Sequence, residues 1–426
     1  MENKLKVVLI NHTFQIDYFY KRWKLLAELH PNVDVILLAP SKWVWGDGKT
    51  LTFGKQEVKT GIRIEEKNFH VRTIDVENHK YRSWTSKQLK NEIKQLKPDI
   101  VYHIGLHNQD SLYEVIRTVK RNLSDTKIAM FSMRGPYHDI RIKKNKCGVV
   151  KWIARRLYYV YQKMMIRYVN RNCDAIFCHY PDAVRCFRQE GYKGAIYMQT
   201  QVGVDTDVFR PDLNAREAVR AKYKLGDAYV FGSASRFTPD KGLDDIIDAL
   251  PTAGNWRFLM MGSGLPEEND AIKKHIHERG LDDKIILTGY IDWHDMAAYW
   301  NAIDCAVHVP RTTERWIETF SLSVVQAMAT GKPIIGNTSG SVPYQIGDEG
   351  IIVPEGDISA LHDKLVWVQN NPEQAKIIGE RMKSRAINCF GIKHLNDCFY
   401  DTILDIQRGH YDPLKADMTK YNVNVE

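Results

Sequence analysis

The amino-acid sequence predicts an α/β protein with two doubly wound parallel sheets, each belonging to its own domain. Three observations lead to this prediction. Short apolar runs alternate with helical patterns, most of the runs are continuously apolar, and the whole alternation occurs twice along the chain. Continuous apolarity is typical of strands that helices cover on both faces. A chain of 426 residues is long enough for two such domains with cores of their own.

The first half, residues 1–200, is predicted to form the first domain. Helical patterns such as Ser86–Gln95 and Ser111–Arg121 separate its apolar runs. The runs that we predict to be strands are Leu5–Asn11, Val33–Ala39, Asp99–Ile104, Lys127–Phe131, Ala175–Cys178 and Ala195–Met198.

Residues 201–390 repeat this organisation, and we place the boundary near Gln199–Asp212, where glycine, proline and aspartate interrupt the periodicity. The predicted strands here are Tyr229–Ala234, Trp256–Met261, Ile285–Thr288, Cys305–Val309, Pro333–Gly336 and Ile351–Val353. Residues 391–426 are predicted to form a helix and a tail that pack back toward the first domain.

Composition and charge limit the classes of protein to which the chain could belong. No apolar run approaches the ~18 residues of a membrane-spanning helix, and the first residues lack the pattern of a signal peptide. Seven cysteines without regular spacing favour a reducing compartment, so we expect a cytoplasmic protein. Residues 1–200 carry 36 Lys and Arg against 19 Asp and Glu, whereas the remainder carries 24 against 33. The basic half is therefore expected to face an anionic partner.

Two cations follow the first strand of the second half. Arg236 and Lys241 lie in the loop that leads from this strand into a helical pattern. The fork of an arginine and the point charge of a lysine both suit a diphosphate, especially beside a helix N-terminus. Two solvated surface cations are the alternative. The turn Gly262-Ser263-Gly264, after the next strand, would let the backbone approach the same ligand.

A carboxylate precedes another predicted helix. Glu318 lies just before the apolar segment Phe320–Met328, and its oxygens can accept hydrogen bonds from two neighbouring sugar hydroxyls. The backbone N–H groups of Phe320, Ser321 and Leu322 would point at the second phosphate of a diphosphate. An acid that merely favours a helix N-terminus is the alternative.

These segments resemble the retaining GT-B glycosyltransferases of family 4. The resemblance rests on Ser235–Leu250, on the spacing of Glu318 and Gln326, and on Val202–Phe209. It implies two Rossmann-like domains that face each other across a cleft, with residues 1–200 binding the acceptor and residues 201–390 binding a nucleotide sugar. A UDP- or GDP-linked hexose is the implied donor.

The resemblance also implies roles for individual residues. Arg236 and Lys241 would bind the pyrophosphate, and Glu318 would hold the sugar. Gln326 would contact the ribose, although most relatives carry glutamate there. The residues implied to surround the nucleotide sugar are Gly262, Tyr290, Ile291, Phe320, Ser321 and Leu322.

In the first domain, relatives place a histidine in a loop after a strand. His138 occupies that place and is expected to be catalytic, with Asp139 as a second candidate and a surface-loop histidine as the alternative. His12, His103 and His107 are weaker candidates. The loop Asn11–Gln15 lacks the glycine pair usual in the family, which indicates an altered acceptor pocket.

No metal and no cofactor are expected. Asp205-Thr206-Asp207 imitates the Asp-x-Asp motif of metal-dependent transferases. However, it lies in the segment between the predicted domains, and the two phosphate-binding cations would take over the role of a metal. We therefore expect metal-independent transfer.

A second unusual segment is Ile140–Cys173, which carries ten Lys and Arg and no Asp or Glu. A helix starting near Val149 would align Ile153, Leu157, Val160, Met164 and Tyr168 on one face. A basic, aromatic helix of this kind suits an anionic membrane surface. A core helix with a solvated basic face is one alternative, and nucleic-acid binding is another, although no recognisable nucleic-acid module accompanies the charge.

The sequence therefore predicts a retaining, metal-independent hexosyltransferase that is peripheral on the inner face of the cell membrane. Its acceptor would be a glycan or a lipid-linked sugar in surface polysaccharide or glycolipid synthesis. Three alternatives remain: a GT-B sugar-nucleotide epimerase, which would share the fold, a non-catalytic sugar-nucleotide-binding subunit, and a basic nucleic-acid-binding protein. Gln326 and the loop without glycine keep the second alternative open.

Overall fold

The structure is a computed structural model, and it describes residues 4–45, 56–59, 61–80, 83–105, 109–133, 149–313 and 316–410. His138 and Asp139, together with His107, lie outside the described residues. The chain divides into two compact units. Unit 1 contains the chain up to Gln201 and again from Leu395, and unit 2 contains Val202–His394.

Unit 1 is built around a sheet of eight strands in the order β12-β11-β10-β9-β1-β2-β6-β5, parallel except for β5. Two short antiparallel pairs, β3 with β4 and β7 with β8, accompany this sheet. The strands are β1 (Leu5–Ile10), β2 (Val33–Pro40), β3 (Lys42–Trp45), β4 (Gln56–Lys59), β5 (Ile64–Glu65), β6 (Phe69–Ile74), β7 (Asn78–Lys80), β8 (Ser83–Thr85), β9 (Ile100–Ile104), β10 (Lys127–Phe131), β11 (Ala175–Cys178) and β12 (Ala195–Met198). The helices are α1 (Asp17–Leu29), α2 (Lys87–Leu96), α3 (Asp110–Asn122), α4 (Val149–Asn172) and α5 (Pro181–Gln189).

All six predicted strands of this unit are confirmed, to within two residues at each end. Their side chains are almost completely buried on both faces, as their continuous apolarity predicted. Strand β6 was not predicted, because apolar and polar residues alternate only over Phe69–Arg72 before Thr73 interrupts the pattern.

Unit 2 contains a parallel sheet of six strands in the order β15-β14-β13-β16-β17-β18. The strands are β13 (Tyr229–Ala234), β14 (Trp256–Met261), β15 (Ile285–Gly289), β16 (Cys305–His308), β17 (Ile334–Asn337) and β18 (Ile351–Val353). The helices are α6 (Leu213–Lys222), α7 (Leu243–Ala249), α8 (Pro266–Glu278), α9 (Met296–Ala302), α10 (Leu322–Ala329), α11 (Val342–Ile346), α12 (Ile358–Asn370) and α13 (Pro372–Arg385). The six predicted strands are again confirmed, and with them the α/β fold of two Rossmann-like domains.

The strand order of unit 2 reverses direction between β13 and β16. From β13 the chain continues outward on one side through β14 and β15, and it then returns to the other side of β13 to form β16, β17 and β18. In open parallel sheets the loops on either side of such a reversal diverge at the carboxyl ends of the strands and leave a crevice. The loops that follow β13 and β16 are therefore the expected place for a ligand.

The last helix, α14 (Ile392–Arg408), begins in unit 2 and completes the core of unit 1. Phe399 is fully buried, and its ring lies 5.1 Å from that of Trp23 and 5.2 Å from that of Tyr102. The buried guanidinium of Arg22 donates to Asn396 Oδ1 at 3.1 Å and to Thr200 O at 2.6 Å. Apolar packing and a buried cation thus both hold this helix on the unit 1 sheet.

None of the helices in the described part of the chain is both long and apolar enough to span a membrane.

We expect Phe399→Ala to destabilise unit 1 by about 3–5 kcal/mol, because it removes a fully buried ring and leaves a cavity beside Trp23 and Tyr102. Chemical unfolding monitored by tryptophan fluorescence would measure this change. Leu29→Ala is the matched control, since Leu29 is 41% exposed on α1, and its effect should stay below about 1 kcal/mol. Equal effects of the two substitutions would contradict the packing of α14 described here.

Candidate active site

The loop after β13 is shaped by a tight turn around Lys241. Residues Pro239–Lys241 form one turn of 3₁₀ helix, and Gly242 follows in the left-handed conformation with φ of 66°. A Cβ atom at this glycine would lie 1.9 Å from Val309 O, just after β16. Only a residue without a side chain fits this close approach, so Gly242 allows the loop after β13 to touch the end of β16.

The loop after β16 carries Glu318 into contact with this turn. Glu318 Oε2 accepts a hydrogen bond from Lys241 Nζ at 2.9 Å, and both side chains are almost fully buried. The backbone of Glu318 is fixed from the other side, since its carbonyl accepts the N–H of Ser341 at 2.8 Å. The two residues that sequence analysis assigned to phosphate and sugar are therefore direct partners, across the crevice between β13 and β16.

The electrostatics of this pair keep Glu318 ionised. Burial by itself would raise the pKa of Glu318, but the Lys241 ammonium and the neighbouring His308 lower it to about 2. His308 Nε2 lies 3.5 Å from Glu318 Oε2, at the limit of a hydrogen bond. Glu318 is consequently a hydrogen-bond acceptor only, which is the state needed to bind hydroxyl groups.

Lys241 also lies against an aromatic ring. Its Nζ is 4.0 Å from the centroid of Trp316, a distance typical of a cation–π contact. Asp240 Oδ2 is 3.8 Å from the same nitrogen. The ammonium is thus held between a carboxylate and the face of an indole, and its position is defined before any ligand binds.

Sequence analysis did not single out His308 or Trp316. His308 is the last residue of β16, at the same edge of the sheet as Arg236, so its position within a predicted strand was a usable signal. Trp316 lies in an irregular loop, and nothing in the local pattern predicts that its ring reaches Lys241.

Arg236 lies in the same loop as Lys241, but no acid among the described residues pairs with it. Its side chain is half-buried, and within the described ranges it forms no ion pair. Two hydroxyl oxygens in the same loop, Ser235 Oγ and Thr238 Oγ1, are buried without a hydrogen-bond partner among the described residues. Because buried polar atoms are usually satisfied, a polar ligand would complete the hydrogen bonding of this loop.

The helix that follows this loop contributes less than sequence analysis expected. Helix α7 spans only seven residues, and its first turn contains Asp244 and Asp245. Asp245 is paired with Arg311. A phosphate here would meet Asp244 at the helix start, so the helix dipole would add little to its binding.

Gly262 brings the next loop close to the site. It has a φ of 130°, and a Cβ atom there would lie 1.9 Å from Ser235 O. Its N–H donates to Gly289 O at 3.0 Å. The ends of β13, β14 and β15 are therefore joined through backbone contacts. Of the two residues that follow β15, Tyr290 is 68% exposed and Ile291 is buried, so the side chain of Ile291 belongs to the core.

The start of helix α10 requires one correction. Ser321 N–H was predicted to face a phosphate, but it donates to Gln345 Oε1 at 2.8 Å, and Gln345 Nε2 donates back to Ser321 O at 2.9 Å. The Gln345 amide thus clamps this residue on both sides. Leu322 is the first residue of the helix, and Ser323 Oγ donates to Ala234 O at 2.7 Å, which places the helix start beside the end of β13. Phe320 packs its ring on Phe390.

Gln326 is buried in the second turn of α10, where its Oε1 accepts the indole N–H of Trp300 at 3.3 Å. An indole nitrogen can only donate, so the amide oxygen must face Trp300. The NH₂ group of Gln326 is then the part of the amide that is available to another partner.

Among the candidate residues of unit 1, His138 lies outside the described residues. His12 begins a short 3₁₀ turn after β1. His103 is buried, with Nε2 2.9 Å from Ser111 Oγ, and burial lowers its pKa to about 3. His103 is therefore neutral in the physiological range and is poorly suited to proton transfer at neutral pH.

Both carboxylates of the Asp205-Thr206-Asp207 segment have partners within unit 2. Asp207 is paired with Lys393 at 2.9 Å, and Asp205 Oδ1 accepts the backbone N–H of Asp207 at 3.1 Å. Within the part of the chain that the structure describes, no three metal-binding side chains come together.

Comparison with known proteins gives a sequence match in unit 2 and a fold match over most of the chain. Residues 215–385 match the family model for glycosyl transferases group 1. A GDP-mannose-dependent alpha-(1-6)-phosphatidylinositol monomannoside mannosyltransferase from Mycobacterium tuberculosis is 29% identical over 185 residues, which cover 42% of this chain and 48% of that protein. The chain thus matches about half the length of this curated relative.

Two solved structures show the same fold. Sucrose-phosphate synthase from Thermosynechococcus elongatus superposes with a TM-score of 0.70 at 16% identity, over 95% of this chain and 99% of that one. The HepE protein of Anabaena, in complex with UDP and glucose, superposes with a TM-score of 0.65 at 14% identity, over 94% of this chain and all of that one.

Because ionised Glu318 is stabilised in the folded protein, we expect the difference in stability between the wild type and Glu318→Gln to depend on pH in one direction. Its pKa is lowered from 4.5 to about 2. The stabilisation is therefore complete above about pH 4.5 and is lost as the pH falls toward 2. Unfolding midpoints measured between pH 3 and pH 8 would test this.

The matched control is Asp270→Asn, an exposed carboxylate of unit 2 whose side chain is 77% exposed. It should show no comparable change with pH. If the unfolding midpoint of the wild type exceeds that of Glu318→Gln at pH 6 but not at pH 8, or at pH 8 but not at pH 6, the lowered pKa of Glu318 is not the cause of the difference.

The two cations of the β13 loop, the ionised Glu318 that pairs with Lys241, and the group 1 sequence match all belong to the same unit. Residues 215–385 thus share sequence with the glycosyl transferases of group 1, and the chain as a whole shares the fold of GT-B glycosyltransferases.

Proposed function

We propose that the protein is a retaining, metal-independent GT-B glycosyltransferase of family 4. It would move a hexose from a UDP- or GDP-linked donor to a glycan or lipid-linked acceptor in surface polysaccharide or glycolipid synthesis. The observation that carries this proposal is the contact of Lys241 with Glu318 between the loops after β13 and β16, where the strand order reverses. That position is where parallel sheets bind ligands.

The two cations would stabilise the leaving group. When the bond from the sugar C1 atom to the diphosphate oxygen breaks, the electron pair stays on the diphosphate and negative charge develops there. Arg236 offers a planar fork of donors, and Lys241 offers a point charge that is already oriented by Glu318 and Trp316. Charge that is positioned in advance lowers the barrier, because nothing has to reorganise during the reaction. These two side chains would fill the role that a metal has in other transferases.

Glu318 would hold the sugar of the donor. Its carboxylate remains ionised, and a carboxylate has lone pairs for several donors, so it can accept from two neighbouring hydroxyl groups in addition to Lys241. Lys241 would then lie between the Glu318 carboxylate, which binds the sugar hydroxyls, and the diphosphate. It would thereby link recognition of the sugar to stabilisation of the leaving group.

Gln326 would contact the ribose differently from a glutamate. Since its oxygen faces Trp300, it presents an NH₂ group, which can only donate. A ribose hydroxyl would have to accept from it, and would donate its own proton elsewhere. Exchange of glutamate for glutamine thus changes the direction of this hydrogen bond without removing it.

The choice of donor and acceptor is guided by the relatives. The mannosyltransferase is named for GDP-mannose and for a phosphatidylinositol mannoside, and HepE was solved with UDP and glucose. A lipid-linked acceptor would place the reaction at the inner face of the cell membrane, in the cytoplasm.

Calorimetry with UDP-, GDP-, ADP- and dTDP-sugars in the presence of a chelator would test the donor site. We expect one class of nucleotide sugar to bind, and Arg236→Ala to abolish the binding. Lys241→Ala and Glu318→Ala should lower kcat/KM about 10²–10⁴-fold, since they remove charges that act in the transition state. Lys273→Ala is the matched control, because Lys273 is an exposed cation on α8.

Several outcomes would overturn parts of this proposal. No binding of any nucleotide sugar at millimolar concentration would remove the donor site altogether. Binding without turnover would favour the non-catalytic subunit, and an epimerised nucleotide sugar formed without acceptor would favour the epimerase. Activity that is lost with chelator and restored by manganese would exclude metal independence.

We expect Trp316→Leu to weaken donor binding by about 3–30-fold, because it removes the aromatic face that positions Lys241. Trp316→Phe keeps a ring and should lose less. The dissociation constant of the donor, measured for both variants, checks this. If the leucine variant binds the donor as tightly as the wild type, Trp316 does not position Lys241.

A further inference from the structure

The exposed apolar side chains of this protein are concentrated on one helix. Fifteen large apolar side chains are exposed among the residues that the structure describes, and six of them belong to α4. These six are Ile153, Leu157, Tyr158, Val160, Tyr161 and Met164. Single exposed apolar residues are normal on a soluble protein, whereas a contiguous row marks an interaction surface.

The exposed row and the buried face of α4 are on opposite sides of the helix. With 3.6 residues per turn, Ile153, Leu157, Val160 and Met164 fall within about 60° of the circumference. The residues that pack on unit 1 are Gln162, Met165, Ile166 and Val169, and they centre about 160° away.

This arrangement corrects an alternative from the sequence. A core helix with a solvated basic face would have buried the row of Ile153, Leu157, Val160 and Met164, but each of these side chains is 47–67% exposed. Only Tyr168 of the predicted face is partly covered, and its ring packs on Tyr113. The core takes the other face of the helix.

The first part of α4 stands away from the core. Among residues 152–161, no side chain that the structure describes is buried, and packing begins at Gln162. Roughly the first three turns of the helix are therefore accessible from most directions, with the apolar row along them.

Cations follow one flank of the apolar row. Arg156, Lys163 and Arg167 lie about 40–100° from its centre. Arg156 lies over the ring of Trp152 at 5.3 Å, and Lys163 Nζ lies 5.5 Å from the ring of Tyr159. Tyr161 lies on the other flank, about 70° from the centre of the row, and the exposed Tyr158 lies farther round, at about 130°. The rings of tyrosine and tryptophan suit the boundary between apolar chains and water.

We propose that α4 docks in the plane of an anionic phospholipid surface, with the apolar row in the acyl boundary and the cations at the headgroup phosphates. An amphipathic helix with a basic flank binds membranes in this way. The distribution of charge and apolar residues favours a membrane over a second copy of the chain or a nucleic acid. A second copy of the chain would bring the same cations against each other, and a nucleic acid would leave the apolar row without a partner.

Sedimentation with vesicles tests this proposal on the full chain without donor or acceptor, so its result is independent of the proposed transfer reaction. We expect binding to equimolar phosphatidylcholine and phosphatidylglycerol, weaker binding at high salt, and little binding to phosphatidylcholine alone. Leu157→Gln/Met164→Gln should lower the partition coefficient at least about tenfold. Arg156→Glu/Arg167→Glu should lower it at least about 25-fold, since each cation near the surface contributes about fivefold.

Matched controls lie in unit 2, on surfaces that the proposal does not use. Ile377→Gln removes an exposed apolar side chain, and Lys273→Glu/Lys274→Glu reverses two exposed cations. Both should bind vesicles as the wild type does, and circular dichroism would show that all variants are folded. Equal binding to neutral and anionic vesicles, or no binding to either, would overturn the proposal.

Two further outcomes would also overturn it. If sedimentation velocity shows a dimer that Leu157→Gln/Met164→Gln dissociates, the face joins two copies of the chain. If the folded apolar double variant binds vesicles as tightly as the control, the row does not enter the membrane.

Discussion

The buried ion pair between Lys241 and Glu318 is the interaction on which the candidate site depends. Each charge would be costly in its buried position without the other, because a buried ion that loses its partner destabilises a protein by several kcal/mol. The pair is possible only because the backbone comes close on both sides. Gly242 lets the β13 loop approach Val309, and a Cβ atom at Gly340 would lie 2.1 Å from the carbonyl oxygen of Glu318. Two glycines and one ion pair therefore determine where a ligand could meet the cations.

The sequence predicted the framework of both sheets, because strands buried on both faces carry an unmistakable apolar run. It missed β6, because the alternation of apolar and polar residues there covers only Phe69–Arg72 and is interrupted by Thr73, which leaves too short a signal. Arg236, Lys241 and Glu318 were accessible because they follow strands in loops with a specific spacing. His308 and Trp316 were missed because their importance is a matter of distance to Lys241 and Glu318. The Gln345 clamp on Ser321 joins residues 24 positions apart and has no local signal at all.

The cations of the two units differ in their surroundings. In unit 2, cations near the site are neutralised in part by neighbouring acids, as for Lys241 with Glu318 and Arg311 with Asp245. On α4, by contrast, the cations flank an exposed apolar row, and the Ile140–Cys173 segment contains no acid to neutralise them. The ion pairs of unit 2 hold loops in position within the fold. The cations of α4 instead create a positive electrostatic potential that extends into solvent.

The path of the chain through α14 has a consequence for biosynthesis. Phe399 and Asn396 complete the core and the hydrogen bonds of unit 1, yet they are translated after the whole of unit 2. Unit 2 can therefore reach its final packing while unit 1 still exposes Trp23 and the apolar face of its sheet. During that interval the nascent chain presents an incomplete core, a state in which multidomain proteins are prone to association and depend on chaperones. A stop codon just before Leu395 would leave the sequence of unit 2 intact and make unit 1 the half that fails to fold.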